Sequence, residues 1–127
     1  MPLDLKTLTI ASWREQLVAK KARAVDLVET YQVEIARRNG ELNAYLEIFD
    51  KAKLMAEQSD QWLEKGNPPR LLEGVPLAIK DNILIEGRIA SSASKILENY
   101  HATYDATAIK KLKEAGVIFL GRTNMDE

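Results

Sequence analysis

The segment Pro76-Leu77-Ala78-Ile79-Lys80 is followed by Asp81-Asn82, and together they have the pattern of a short strand that ends in a turn. Proline is tolerated at the first residue of a strand, and Asp and Asn favour turns. Because strand side chains alternate between the two faces of a sheet, Leu77 and Ile79 are predicted to face one way. Ala78 and Lys80 are then predicted to face the other way.

Downstream of this strand, the sequence predicts a helix and then a second strand. We expect Asp105 to cap the helix, Ile109 and Leu112 to form its inner face, and Gly116 to end it. The apolar run at 117–120 (Val-Ile-Phe-Leu) is typical of a buried strand. A strand, a crossover helix and a strand predict a βαβ unit with a parallel pair. We expect a sheet of two or three strands, with the run at 117–120 as its partly uncovered edge.

Three helices are predicted in the first half of the chain, at residues 10–20, 24–39 and 50–65. Thr9 is expected to cap the first helix, and Gly40 to end the second. Residues 43–48 are predicted to form a short strand or an extended linker. The fold class is therefore α/β, with a helical region at 1–66 and the start of an α/β core at 67–127.

The composition excludes several classes of protein. The 127 residues include 18 Lys and Arg against 19 Asp and Glu, so no strong net charge favours nucleic acid or anionic lipid. There is no cysteine, which excludes disulfides and thiolate metal sites, and a single histidine excludes a histidine-rich metal site within this chain. The longest purely apolar run is too short to cross a bilayer. We expect a cytoplasmic globular protein that binds no metal or cofactor itself.

Two features of the second half carry reactive groups. Lys80 is predicted to lie at a strand end, where α/β folds gather functional residues. A lysine accepts a proton only after losing its own, which requires burial or a nearby positive charge, so a solvated lysine is the alternative. Ser91, Ser92 and Ser94 lie in a small polar loop without the Gly-x-Ser-x-Gly pattern of a nucleophile elbow. A closely packed or helix-capping loop is the favoured interpretation of these serines.

Three further patterns favour structural interpretations. The segment 116–123 is similar to a phosphate loop, but its glycines bracket a predicted strand, so we reject that match. His101, the single histidine, is expected on a surface loop. Asp126 and Glu127 are adjacent carboxylates that we expect to be solvated.

Several motifs together resemble the amidase signature family: Leu72–Asn82, Ala93–Tyr100 and Leu120–Glu127. The Gly-Val-Pro-x-Ala-x-Lys-Asp pattern within the first motif is specific to that family. The other two are most similar to its subfamily of A subunits of glutamyl-tRNA(Gln)/aspartyl-tRNA(Asn) amidotransferases. The resemblance covers nearly the whole chain. It implies an α/β/α sandwich with a mixed sheet, of which this chain would form the front part.

The resemblance also implies a mechanism and partners. Family enzymes use a serine, a second serine with a cis peptide bond, and a lysine, which Lys80 matches. Both serines would follow Glu127, so this chain alone would be inactive and would leave Lys80 exposed. The whole protein would hydrolyse glutamine and pass ammonia to the B subunit of the amidotransferase, in a complex with the B and C subunits that serves translation. ATP and Mg²⁺ would act in that complex, and tRNA would bind only through it.

The sequence departs from the subfamily at two places. Ala90-Ser91 stands where a Thr-Thr pair is usual, and Ala24 where a Ser or Thr helix cap is usual. Two other interpretations stay open. One is a general amidase of the same family without tRNA partners, and the other is a binding module that lacks chemistry.

Overall fold

The computed structural model describes residues 3–125, so the adjacent carboxylates of Asp126 and Glu127 lie outside the described residues. Within that range, four helices and three strands follow one another in the order α1 (Ile10–Val18), α2 (Ala24–Leu42), β1 (Tyr45–Ile48), α3 (Ala52–Glu64), β2 (Pro76–Lys80), α4 (Thr107–Glu114) and β3 (Ile118–Thr123). The α/β fold class, the three predicted helices of the first half and the predicted βαβ unit are confirmed. Residues 43–48, left open between strand and linker, contain β1.

The sheet has the strand order β1-β3-β2. β2 and β3 are parallel and are connected through α4, whereas β1 pairs with β3 in the antiparallel sense. The expectation that the run 117–120 forms an uncovered edge is therefore wrong. β3 is the central strand because β1, which comes earlier in the chain, pairs with the edge that the βαβ unit alone leaves open. Ile118 is only 1% exposed.

Helices cover both faces of the sheet. On one face, α1, α2 and α3 pack their apolar sides against Ile118 and Leu120, with Trp13 at the centre of the cluster. On the other face, Ile109 of α4 packs against Phe119 and further buried residues. Alternate side chains at the start of β3 thus enter two different cores, which explains why residues 118–120 are all apolar.

Several helix ends differ from the sequence prediction by a few residues. Thr9 caps α1 as predicted, in a reciprocal capping box with Ser12. Gly40 does not end α2, which continues to Leu42 and stops at Asn43 in the left-handed conformation (φ 53°). Asp105 does not cap α4, because its carboxylate accepts from the Glu86 amide and pairs with the Lys113 ammonium group.

The missing Ser or Thr cap at α2 has a tertiary replacement. The carboxylate of Asp60, on α3, accepts hydrogen bonds from the backbone amides of Ala24 (2.6 Å) and Val25 (3.1 Å). An acceptor for the free amides of the first turn is what a helix needs, whichever element supplies it. Asp60 thereby ties the start of α2 to α3.

Candidate functional site

Lys80 is the last residue of β2, at the carboxyl end of the parallel pair. Ile79 is buried, whereas Ala78 and Lys80 are exposed, which confirms the predicted alternation of faces. Among the ion pairs formed within residues 3–125, none includes Lys80. The expectation that this ammonium group is open to solvent is confirmed.

The next residue, Asp81, turns its side chain into the protein. Its carboxylate is fully buried. One oxygen accepts from the Ser91 amide (3.2 Å) and the Arg122 guanidinium (2.8 Å). The other accepts from the Ser91 hydroxyl (2.5 Å) and the Ala93 amide (2.9 Å). These four donors occupy the acceptor positions that a carboxylate has.

The loop bound by Asp81 contains a turn in which two residues other than glycine adopt the left-handed backbone conformation. Ser92 and Ala93 both adopt the left-handed conformation, with φ of 52° and 55°. That conformation costs about 1–2 kcal/mol for each residue that carries a Cβ. Contacts outside the turn must offset this strain, and the Asp81 carboxylate supplies two of them through the amides of Ser91 and Ala93.

Arg122, on β3, links Asp81 to the far edge of the sheet. Its guanidinium donates to Glu47 on β1 (2.9 Å) as well as to Asp81 on the β2 side (2.8 Å). Glu47 also lies 3.9 Å from Arg88, whose guanidinium stacks over the ring of Phe49 at 4.5 Å. At this end of the sheet, acidic and basic side chains thus alternate and connect the three strands.

The charge state of Asp81 follows from these contacts. Burial raises the pKa of the Asp81 carboxyl, but hydrogen bonds from Ser91, Ala93 and Arg122 outweigh burial and hold the pKa below its ordinary value. For Arg122, burial lowers the pKa, but the bonds to Glu47 and Asp81 raise it by more, so the net shift is upward. Both groups are therefore charged at neutral pH, as an ion pair inside the protein.

A second buried carboxylate lies before the amino end of β2. Glu73 is 1% exposed and accepts from the guanidinium of Arg70 (2.6 and 2.8 Å) and from the hydroxyl of Ser59 on α3 (2.5 Å). Burial raises the pKa of Glu73, and the bonds from Arg70 and Ser59 lower it to a value below the ordinary one. Arg70 also stacks over the ring of Trp62 at 4.8 Å.

The other residues that the sequence singled out play structural roles. The segment 116–123 contains β3, as predicted, and a Cβ at Gly121 would overlap the backbone of Glu47 on β1. His101 is exposed and lies 3.0 Å from the carbonyl of Asn99. Ser91 is buried in its packed loop, which confirms the structural interpretation of that serine.

Residues 3–125 contain neither a metal-binding cluster nor a membrane-spanning helix. No group of three or more His, Asp and Glu side chains is arranged to hold a metal ion. No helix in this part of the chain combines the length and the apolar character that crossing a membrane requires.

Sequence reasoning misses the partners of Asp81. The local pattern indicates Asp81 only as a turn residue, and Arg122 only as the departure from a phosphate loop. A weak signal is present, because both residues follow or end predicted parallel strands, whose carboxyl ends meet at one edge of the sheet. No local pattern indicates that Ser91 joins them.

Comparison with protein-family models matches residues 26–127 to the family described as Amidase. Among curated proteins, the A subunit of glutamyl-tRNA(Gln) amidotransferase from Endomicrobium trichonymphae is 45% identical over 114 residues. This alignment covers 89% of the present chain and 24% of that protein. The chain spans about a quarter of the length of the curated relatives it matches.

Solved structures share the fold. A structure from a vestigial protein complex that reveals the evolutionary origins of an s-triazine catabolic enzyme matches with a TM-score of 0.89 and 30% identity. The match covers 94% of this chain and 27% of that one. The native peptide amidase of Stenotrophomonas maltophilia matches with a TM-score of 0.88 and 28% identity, over 95% of this chain and 25% of that one.

Proposed function

The chain belongs to the Amidase family, and on that premise we propose that it is the front part of a glutamine-hydrolysing A subunit of a tRNA-dependent amidotransferase. The similarity to a curated protein of this kind over 89% of the chain supports the subfamily. The observation that carries the proposal is the position of Lys80. It is exposed at the carboxyl end of a parallel strand, and the next residue, Asp81, is fixed by an ion pair with Arg122.

In the proposed reaction, Lys80 carries a proton. A serine hydroxyl attacks the side-chain carboxamide of glutamine, and its proton passes through a second serine to Lys80. Lys80 accepts it as a neutral amine, because in the complete protein we propose that further residues cover this side chain and disfavour its charge. Lys80 then returns the proton to the leaving ammonia, and water hydrolyses the acyl-enzyme to glutamate. We propose that both serines follow residue 127, and that residues 1–127 alone therefore release no ammonia.

The proposed surroundings follow from the same subfamily. The ammonia passes to the B subunit of the amidotransferase, which uses ATP and Mg²⁺ to amidate a misacylated tRNA, and the C subunit is a further partner. We propose that tRNA reaches this chain only through that complex, that the complex works in the cytoplasm, and that this chain itself holds no cofactor.

The test is ammonia release from glutamine by the complete protein that carries these residues, purified with its partner subunits. We expect Lys80→Met to lower kcat by about 10²–10⁴-fold, the usual contribution of a positioned proton carrier. Lys111→Met is the matched control, because Lys111 is an exposed lysine on α4 and its loss leaves turnover unchanged. Equal activity of the two variants contradicts the assignment of Lys80.

Substrate choice separates the two other interpretations. A general amidase hydrolyses small amides without the B and C subunits, and the match to a peptide amidase structure makes such amides worth including. A binding module hydrolyses neither glutamine nor small amides. We expect turnover of glutamine that rises when the partner subunits are present.

A further inference from the structure

Asp81 follows Lys80 directly, but the two side chains have opposite environments. The Lys80 side chain is exposed, whereas the Asp81 carboxylate is fully buried. Side chains that are adjacent at a strand end point to opposite faces. The Asp81 side chain therefore lies on the buried side of this strand end, and the Lys80 side chain lies on the solvent side.

The Asp81 carboxylate has no free acceptor position for Lys80. Its two oxygens receive four hydrogen bonds, from the Ser91 amide and hydroxyl, the Ala93 amide and Arg122. A carboxylate occupied in this way is not a proton acceptor for a substrate. Its chemical effect must pass through the groups that it holds.

The main chain of Asp81 binds the same loop to the sheet. Its amide donates to the Thr123 carbonyl at the end of β3 (3.1 Å), and its carbonyl accepts from the Ser92 amide (3.2 Å). The Ser91–Ala93 turn is thus attached to Asp81 through main chain and side chain. Its left-handed residues make it a turn that does not persist without such contacts.

We propose that Asp81 is a positioning residue: it holds the Ser91–Ala93 turn against the carboxyl end of β2 and so fixes the strand end that carries Lys80. Ser91 and Arg122 act with it, because they supply the hydroxyl and the counter-charge that keep the carboxylate in place. The inference rests on the proposed function, in which Lys80 moves a proton.

The experiment compares Asp81→Asn with Glu73→Gln in the complete protein. Both substitutions remove the charge from a buried carboxylate that is held by one arginine and one serine, at opposite ends of β2. We expect D81N to lower kcat about 100-fold, because a small misplacement near the reacting groups has an effect of that size. KM for glutamine changes less than about threefold, because substrate binding is not affected.

The matched variant E73Q is expected to keep the wild-type kcat for the folded protein. A merely structural role of Asp81 makes the two variants alike, either both active or both inactive, and overturns the inference. The rate at which an acylating reagent modifies Lys80, measured against Lys111 by mass spectrometry, is a second readout that needs no turnover. We expect this ratio to rise several-fold in D81N and to stay unchanged in E73Q.

The two readouts separate this inference from the proposed function. If the wild-type protein hydrolyses no amide, the proposed function fails, and an unchanged Lys80 acylation rate in D81N then overturns the inference as well. If D81N does not fold, Ser91→Ala removes one hydrogen bond from the same carboxylate. Ser91→Thr restores a hydroxyl, and recovery of the kcat lost in S91A supports positioning. Equal kcat of S91A and wild type contradicts it.

Discussion

Each end of β2 has a buried carboxylate bound to one arginine and one serine, yet the two clusters are assembled differently. Glu73 takes its arginine from three residues earlier in the chain, Arg70, and its serine from α3. Asp81 takes its serine from a loop ten residues later and its arginine from β3, 41 residues later. The first cluster joins a helix to the loop before β2, and the second joins a loop to all three strands.

Burial and ion pairing therefore do not by themselves mark a functional residue. Both carboxyl groups have lowered pKa values, since burial, which raises each pKa, is outweighed by hydrogen bonds from serine and arginine. What differs is the position, because only Asp81 lies at the carboxyl end of the parallel strands, next to an exposed lysine. Position and neighbouring groups separate the two roles.

The largest expected effect on stability comes from removing either arginine. Arg70→Met leaves the buried Glu73 with only the Ser59 hydroxyl and one amide, and we expect a loss of about 3–5 kcal/mol in the free energy of unfolding. Arg122→Met leaves Asp81 with three donors from the Ser91–Ala93 turn, so the expected loss is smaller, about 1–3 kcal/mol. Urea unfolding of the two variants measures both losses. A greater loss of unfolding free energy in R122M than in R70M would contradict the explanation that the remaining donors stabilise Asp81.

Acid is expected to weaken both clusters. Because the folded-state pKa values of Glu73 and Asp81 are lowered, each carboxylate contributes stability that is present above its unfolded pKa, about 4, and is lost as pH falls below it. Urea midpoints measured from pH 6 downward should therefore fall in the wild type. The urea midpoint should fall less steeply with pH in both D81N and E73Q. A slope equal to that of the wild type in either variant would show that this carboxylate does not contribute to the acid sensitivity.

Alanine substitutions at two glycines test how tightly the Glu73 cluster is packed. Gly116 has φ +89°, and a Cβ there would lie 3.0 Å from Arg70 Nε and 3.1 Å from Glu73 Oε2. Gly66 has φ +80° with nothing within 4 Å. We expect Gly66→Ala to cost about 1–2 kcal/mol from backbone strain alone, and Gly116→Ala to cost more. Equal falls in melting temperature in the two variants would show that the Glu73 cluster accommodates the added Cβ without a loss of stability.

Asp60 is a half-buried carboxylate that has no hydrogen bond from an arginine within residues 3–125. Its pKa is raised, because burial outweighs the two amide bonds from Ala24 and Val25. The stability linked to this shift is present below the unfolded pKa and is lost as pH rises through the raised folded value. We expect Asp60→Ala to cost about 1 kcal/mol at pH 7 and Asp60→Asn only a few tenths, because Asn keeps the cap without the buried charge. Equal melting temperatures for these two variants would contradict the capping role.

The sequence predicts the helices and strands well because their signals are local. Helical spacing places Ser59 on the inner stripe of the third helix, where it is buried, and alternation in β2 separates Ile79 from Lys80. Pairing across long stretches of sequence has no such signal. Local patterns therefore do not reveal that β1 pairs with β3 and makes it the central strand, or that Arg122 forms a hydrogen bond with Asp81.

The central claim is that the cluster at the carboxyl end of β2 serves chemistry at Lys80, whereas the Glu73 cluster serves the fold. The most direct test is the kcat for glutamine in Ser91→Ala and Ser59→Ala, which each remove one 2.5 Å hydrogen bond to a buried carboxylate. The account predicts a similar loss of stability in both variants, about 1–2 kcal/mol, with kcat lowered only in S91A. Equal kcat values in S91A and S59A would contradict it.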